Sequence, residues 1–190
     1  MGDKDLAKEL KDLVNQFESS KHELKDLLDG IDETNFNKHP APSGWSVAEC
    51  VDHLIITGKD YTRQIENGLK KAERKKLLFK GRYKFSWIGK SFIKNIEPPV
   101  KRRFKVPARW TPEKNLPLQK IKDEYLALQD RYIELLNRSG GLDIMKVKLP
   151  SPATSLLRFS IYEMFHVNAA HQRRHLWQAK YVKKSITGKT

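Results

Sequence analysis

The sequence predicts an all-α fold, a four-helix bundle with a long crossover between its second and third helices. Three observations lead there. Four stretches repeat apolar residues at helical spacing. The stretch from residue 72 to about 114 loses that spacing and holds Pro98, Pro99, Pro107 and Pro112. No run alternates apolar and polar residues convincingly enough to read as a strand.

The first helix is expected from about Asp3 to Asp29. Leu6, Leu10, Leu13, Phe17, Leu24, Leu28 and Ile31 make one stripe, Asp3 can cap its start and Gly30 can end it. The second has the best start signal, an S-x-x-E capping box at Ser46 and Glu49 with Trp45 just before it. Val47, Val51, Leu54, Gly58, Tyr61 and Ile65 follow on one side, to roughly Lys70. Helical fragments are expected in the crossover near Phe85 to Ile96; connections of this length are uncommon unless they have a role. The third helix spans about Leu116 to Arg138 and stops at Ser139-Gly140-Gly141. The fourth is expected from about Ala153 to Val182. Together these give one domain over residues 1–190.

A chain of 190 residues can bury a sizeable core without staples. Its one cysteine, Cys50, cannot form an internal disulfide, which suits a reducing compartment. The charged first residues do not read as a signal peptide, Leu6 breaks the myristoylation pattern, and no stretch reads as a membrane span. The expected location is the cytoplasm. The formal charge of +14 is concentrated: residues 70–109 hold 15 Lys or Arg against Glu73 and Glu97 alone. The rest of the chain is nearly neutral.

The chemistry gathers on histidines. In the fourth helix, His171-Gln172-Arg173-Arg174-His175 places two imidazoles one turn apart on the same face. Leu157, Met164, Val167, Asn168, Gln178 and Val182 cluster around that face, so the pair points into the bundle. Buried imidazoles need partners, and a divalent metal is one; hydrogen-bonded structural histidines are the other reading. The motif lacks the glutamate of H-E-x-x-H, so the metalloprotease pattern does not apply. His53 is the best third ligand, about 60–120° from the centre of its helix's apolar stripe. His166 is rotated about 140° from His171 and faces another neighbour. His22 and His39 read as structural or solvated. Cys50 is a conceivable fourth ligand, although a buried inert thiol is its commoner role.

The segments GWSVAECVDHL around His53 and HQRRHLWQ around His171 and His175 resemble the DinB/YfiT-like family of metal-binding four-helix bundles. Helix order and the long crossover extend the resemblance over nearly the whole chain. It implies one histidine from the second helix and an H-x-x-x-H pair from the last on a divalent metal, zinc first and nickel as the alternative. His53, His171 and His175 occupy those positions. It further implies either a hydrolase or a transferase that activates a low-molecular-weight thiol, a small-molecule substrate, and often a homodimer.

Three histidines leave a coordination position open, where water can be activated or a thiol held as thiolate. No carboxylate is obvious beside the histidines, which favours the thiol version. Asn168 and Gln178 are candidates to orient substrate or a ring nitrogen, with Cys50 and Thr57 also beside the site. The alternative is a non-enzymatic binding protein with a structural or empty metal site. In it, Arg82, Lys101, Arg102 and Arg103, interleaved with Phe79, Tyr83, Phe85, Trp87, Phe92 and Phe104, would meet nucleic acid or an acidic membrane surface. An amphipathic cover with its aromatics packed inward and its lysines in water is the plainer reading of that segment.

Overall fold

In a computed structural model, residues 6–99, 106–154 and 156–188 are described. The chain is mostly helical, with one small two-stranded sheet. Helix α1 spans Lys8–Leu28, a short α2 spans Glu33–Asn37 and α3 spans Val47–Arg74. The crossover carries α4, Trp87–Ile96, and a 3-10 turn, Ala108–Trp110. Helix α5 spans Leu118–Arg138, strands β1 and β2 span Lys148–Pro150 and Arg158–Ser160, and α6 spans Ile161–Thr187. Helix α3 packs on α5 and α6, and α1 packs on the same two.

The capping box that opens α3 forms as expected. Ser46 Oγ accepts from Glu49 N at 3.1 Å, while Ser46 N donates to Glu49 Oε2 at 2.7 Å. The α3 helix runs one turn past Lys70, because Leu69 and Ala72 are still buried against the core. The fragment expected near Phe85 to Ile96 is α4, capped by Ser86 Oγ accepting from Gly89 N at 3.0 Å. Helix α1 begins at Lys8 without a side-chain cap, and Asp3 lies outside the described residues. Helix α5 starts at Leu118, after Pro117, rather than at Leu116.

The last helix departs most from expectation. It begins at Ile161, not Ala153, because a second capping box, Ser160 with Glu163, starts it there. The residues before it form an antiparallel hairpin instead, with Leu149 opposite Phe159. Leu157 therefore sits in that hairpin's loop and not on the helix face with His171.

Two adjoining apolar clusters fill the interior. One gathers Phe17, Ile65, Tyr132, Phe159, Met164 and Phe165; the other gathers Leu24, Phe36, Val51, Leu54, Tyr125 and Leu176. Between α1, α5 and α6 lies a buried polar link in which Gln172 Oε1 accepts from Ser20 Oγ at 2.6 Å and from Tyr125 OH at 3.1 Å. Gln172 thus locks the rotation of α6 one residue after His171. None of the described helices is long and apolar enough to cross a membrane.

Candidate metal centre

His53 projects from α3 and His171 and His175 from α6, the two helices in closest association. One ring nitrogen from each lies within 4.8 Å of the other two. Ring centroids are 5.2 Å apart for His53 and His171, 4.7 Å for His53 and His175, and 4.6 Å for His171 and His175. His53 is 3% exposed, deeper than the edge position its helical wheel suggests, because the crossover folds back over it.

That crossover also fixes the ring. Trp110, at the end of the 3-10 turn, is tied to α3 by its Nε1 donating to Asp60 Oδ2 at 2.8 Å. Its backbone carbonyl lies 2.9 Å from His53 Nδ1. A carbonyl only accepts, so Nδ1 carries the proton and the Nε2 lone pair is left for another partner. On α6, Gln178 Oε1 lies 3.0 Å from His175 Nδ1, which assigns the same tautomer to that ring. Outer partners of this kind orient histidines for a metal.

Electrostatics act in the same sense. Burial lowers the pKa of His53, and Arg174 adds to the effect. Burial holds His171 and His175 well below the ordinary value of 6.5; His53 and Arg174 add to the effect on both, and His171 adds to it on His175. Neutral imidazoles with correctly aimed lone pairs are the ligand form, so these residues fit a divalent metal.

The three rings line a cavity of about 370 Å³. Phe92 and Ile96 of α4, Val106 and Trp110 from the crossover, Leu157 from the hairpin loop, and Val167 and Arg174 of α6 complete most of the wall. Trp45 packs against His53 and His175 from the side, with centroids 4.9 and 5.9 Å away. A larger depression, between the ends of α1 and α6, holds no histidine.

The other candidates have their side chains engaged elsewhere. Asn168 accepts from Tyr132 OH at 2.7 Å and donates to Met164 O at 2.8 Å, inside the core. Thr57 Oγ1 donates to His53 O at 2.7 Å, within its own helix. Cys50 is fully buried and burial pushes its thiol pKa up, away from the thiolate form. None of the three lines the cavity. His166 lies between Tyr162 and Phe85, the latter just before α4, apart from the cluster of three histidines, and burial lowers its pKa to about 4. His22 and His39 are exposed.

In the basic segment, Phe79 stacks on Tyr83 and Tyr83 on Tyr162, while Phe85 packs at a tilt on Tyr162 and Phe92 on Phe159. Arg82 is exposed; Lys101, Arg102, Arg103 and Phe104 lie outside the described residues. Sequence reasoning missed Arg174 and the Trp110 carbonyl as parts of the site. Arg174 stood inside the histidine motif, whereas a backbone carbonyl carries no sequence signal.

Comparison with curated proteins and with solved structures gives no match. A protein-family model does match, over residues 16–179, a span that contains all three histidines, the whole of α3 and most of α6. The chain belongs to the DinB superfamily.

Proposed function

We propose that this chain is a divalent-metal-dependent enzyme acting on a small molecule, and that it transfers a low-molecular-weight thiol rather than hydrolysing its substrate. In this reading the four long helices form a four-helix bundle, one domain whose crossover from α3 to α5 closes the site. His53, His171 and His175 hold the metal; zinc suits a set of three imidazoles, and nickel is the alternative. When bound, the metal supplies an open coordination position that favours the ionised form of a ligand.

The observation that carries the thiol version is the cavity wall. Its described residues include no aspartate or glutamate. Hydrolysis is helped by a positioned base that takes a proton from water. A thiol has a pKa of about 8.5 and needs far less help to ionise. The chain's own residues then do three things. The Trp110 carbonyl and Gln178 keep the imidazoles oriented, Trp45 walls one side, and Phe92, Ile96 and Leu157 exclude water. A cytoplasmic, reducing location, suggested by the lone cysteine, would supply such a thiol.

The test is metal analysis joined to an assay of conjugation between cysteine and a chromogenic aryl halide. Bound zinc or nickel, turnover abolished by chelation and restored by the metal, and loss of both metal and turnover in His171→Ala are the expected results. Purified protein without metal, or turnover indifferent to chelation, would sink the proposal.

A second reading concerns partners. Trp87 is 83% exposed and Ile88 48% exposed, at the start of α4 among basic residues. This is the composition of a contact with an anionic membrane surface. Sedimentation with anionic vesicles tests it.

A further inference from the structure

We infer that the cavity takes an uncharged, apolar small molecule directly out of a lipid leaflet, because the elements that wall it also dock on an anionic bilayer. The inference rests on the proposed readings of the cavity as a substrate site and of α4 as a membrane contact, but not on the presence of the metal.

The two most exposed large apolar side chains among the described residues are Leu156, at 91%, and Trp87, at 83%. They are far apart in sequence, yet each stands on an element that walls the cavity. Trp87 opens α4, whose Phe92 and Ile96 line it. Leu156 lies in the loop between β1 and β2, whose Ala153, Thr154 and Leu157 line it. Phe92 packs on Phe159 of β2, with ring centroids 5.2 Å apart, so the two walls adjoin. One exposed apolar residue means little. The two outermost ones on adjoining walls of one cavity point to a common use.

Both walls are two-sided. At about 100° per residue, Trp87 lies about 140° from Phe92 and about 180° from Ile96 around α4. The helix thus lines the cavity with one face and carries Trp87 on the other. In the loop, Leu157 lines the cavity while its neighbour Leu156 stands in solvent.

Charge selects what covers the outer side. Residues 74–96 hold eight Lys or Arg and no acid, and residues 144–162 hold Lys146, Lys148 and Arg158 and no acid. Lys90, Lys94, Lys148 and Arg158 are exposed. Cations beside an outward tryptophan and leucine match the interfacial zone of an anionic leaflet.

The inner side selects the ligand. Phe92, Ile96, Val106, Pro107, Ala153 and Leu157 offer no side-chain hydrogen-bond donor or acceptor. Arg174, which also lines the cavity, has an interaction of its own. A polar body against such a wall loses its water without compensation, whereas an apolar one gains with every CH₂ buried. At about 370 Å³ the cavity suits a small molecule. Small apolar molecules are scarce in water and concentrated in a leaflet, where the docked walls meet them.

The experiment has two arms on the full chain. In the first, Leu156→Cys and a control, Ala127→Cys, are each labelled with nitrobenzoxadiazole; Cys50 is fully buried and stays unlabelled. Ala127 is exposed on α5, which lends nothing to the cavity wall. Vesicles of phosphatidylserine and phosphatidylcholine should blue-shift the label at 156 and leave the label at 127 unchanged. In the second, n-alkanols from butanol to octanol are titrated calorimetrically, without lipid, into metal-free and zinc-loaded chain. Affinity should rise about fourfold per added CH₂ in both, the equivalent of about 0.8 kcal/mol. Ala153→Asp, which sets a carboxylate on the wall, should weaken alkanol binding and leave the melting temperature unchanged. No shift at 156, equal shifts at both positions, or an alkanol affinity that is absent or flat across the series overturns the inference. A shift at 156 with single-stranded DNA and none with vesicles also overturns it. Length-dependent alkanol binding by a chain that never holds zinc would leave this inference standing while thiol transfer falls. Zinc-dependent turnover without alkanol binding would do the reverse.

Discussion

Each histidine ring nitrogen has a separate job at this centre. Nδ1 of His53 and of His175 is occupied, by the Trp110 carbonyl and the Gln178 amide oxygen, so Nε2 is the free donor on both rings. If the proposed metal is held there, Gln178 would act on its affinity through His175 and not by touching it. Gln178→Ala is expected to weaken zinc binding about 10–100-fold with the fold intact. Competition against a chromophoric chelator measures this, and Gln178→Glu, which restores an acceptor, should recover the affinity. Unchanged affinity in Gln178→Ala would show that Trp45 and the helix suffice to hold the ring. At this scale the sequence was informative where chemistry is local. The His171 and His175 pair could be read because both rings sit on one helix, four residues apart. His53 could be read as the best third candidate from its place at the edge of its helix's stripe, and the family resemblance strengthened that reading, since nothing in its own segment says which helix it faces. Arg174 went unread because adjacent arginines look alike until a fold turns one outward and one inward.

Among the elements, the N-terminus of α4 is docked by one carboxylate. Glu163 lies at the start of α6, is 1% exposed and accepts four hydrogen bonds. Ser160 N and Oγ donate to its Oε2 at 2.8 and 2.9 Å, and Ser86 N and Oγ donate to its Oε1 at 2.7 and 2.5 Å. One side chain thus closes the α6 capping box and docks the N-terminus of α4, where a negative charge also suits the helix dipole. A side chain on Gly89 would collide with that carboxylate, so the close approach needs glycine there. Burial alone would raise the Glu163 pKa; the hydrogen bonds from Ser86 and Ser160 outweigh it and hold the group below its ordinary 4.5. A depressed pKa contributes stability above that ordinary value and loses it as pH falls through the folded one. Glu163→Gln should therefore cost about 2–3 kcal/mol at neutral pH, lowering Tm by about 4–12 °C. The gap from wild type should close as pH falls below 4.5. A gap that stays constant across that range would show that the charge is not what holds α4. This anchor also explains the largest misreading of the sequence. The long helices carry apolar repeats over five or more turns, enough to show a period. Strands β1 and β2 have three residues each, too few for alternation to register. The S-x-x-E at Ser160 was as good a start signal as the one at Ser46, yet the apolar pattern of the last helix was carried back through it to Ala153.

Across the whole molecule, charge is segregated from the site's chemistry. Residues 74–96 hold eight Lys or Arg and no acid. Within them Phe79 and Tyr83 are already stacked on neighbours, and Phe85 and Phe92 pack tilted or edge-on against theirs, so they are poorly placed to stack on bases. The apolar side chains left outward among the exposed lysines are Leu78 at 60% exposure, Phe85 at 40%, Trp87 at 83% and Ile88 at 48%. Exposed aliphatic and indole groups ringed by lysines match a bilayer's interfacial zone better than a nucleic-acid groove. Each basic residue near an anionic leaflet contributes about 1 kcal/mol, and the attraction fades within a Debye length. The chain should therefore sediment with vesicles of phosphatidylserine and phosphatidylcholine at low salt. It should not sediment with phosphatidylcholine alone, and raised salt should release it. Trp87→Ser with Ile88→Ser should weaken the association while leaving helicity and zinc content unchanged, since neither side chain is part of the core or the cavity. Equal sedimentation with neutral vesicles, or binding that salt does not weaken, would overturn the reading. Salt-sensitive binding to single-stranded DNA, with none to vesicles, would transfer this surface to a nucleic acid. Because α4 also lends Phe92 and Ile96 to the cavity wall, a membrane-bound chain would hold that wall against the bilayer.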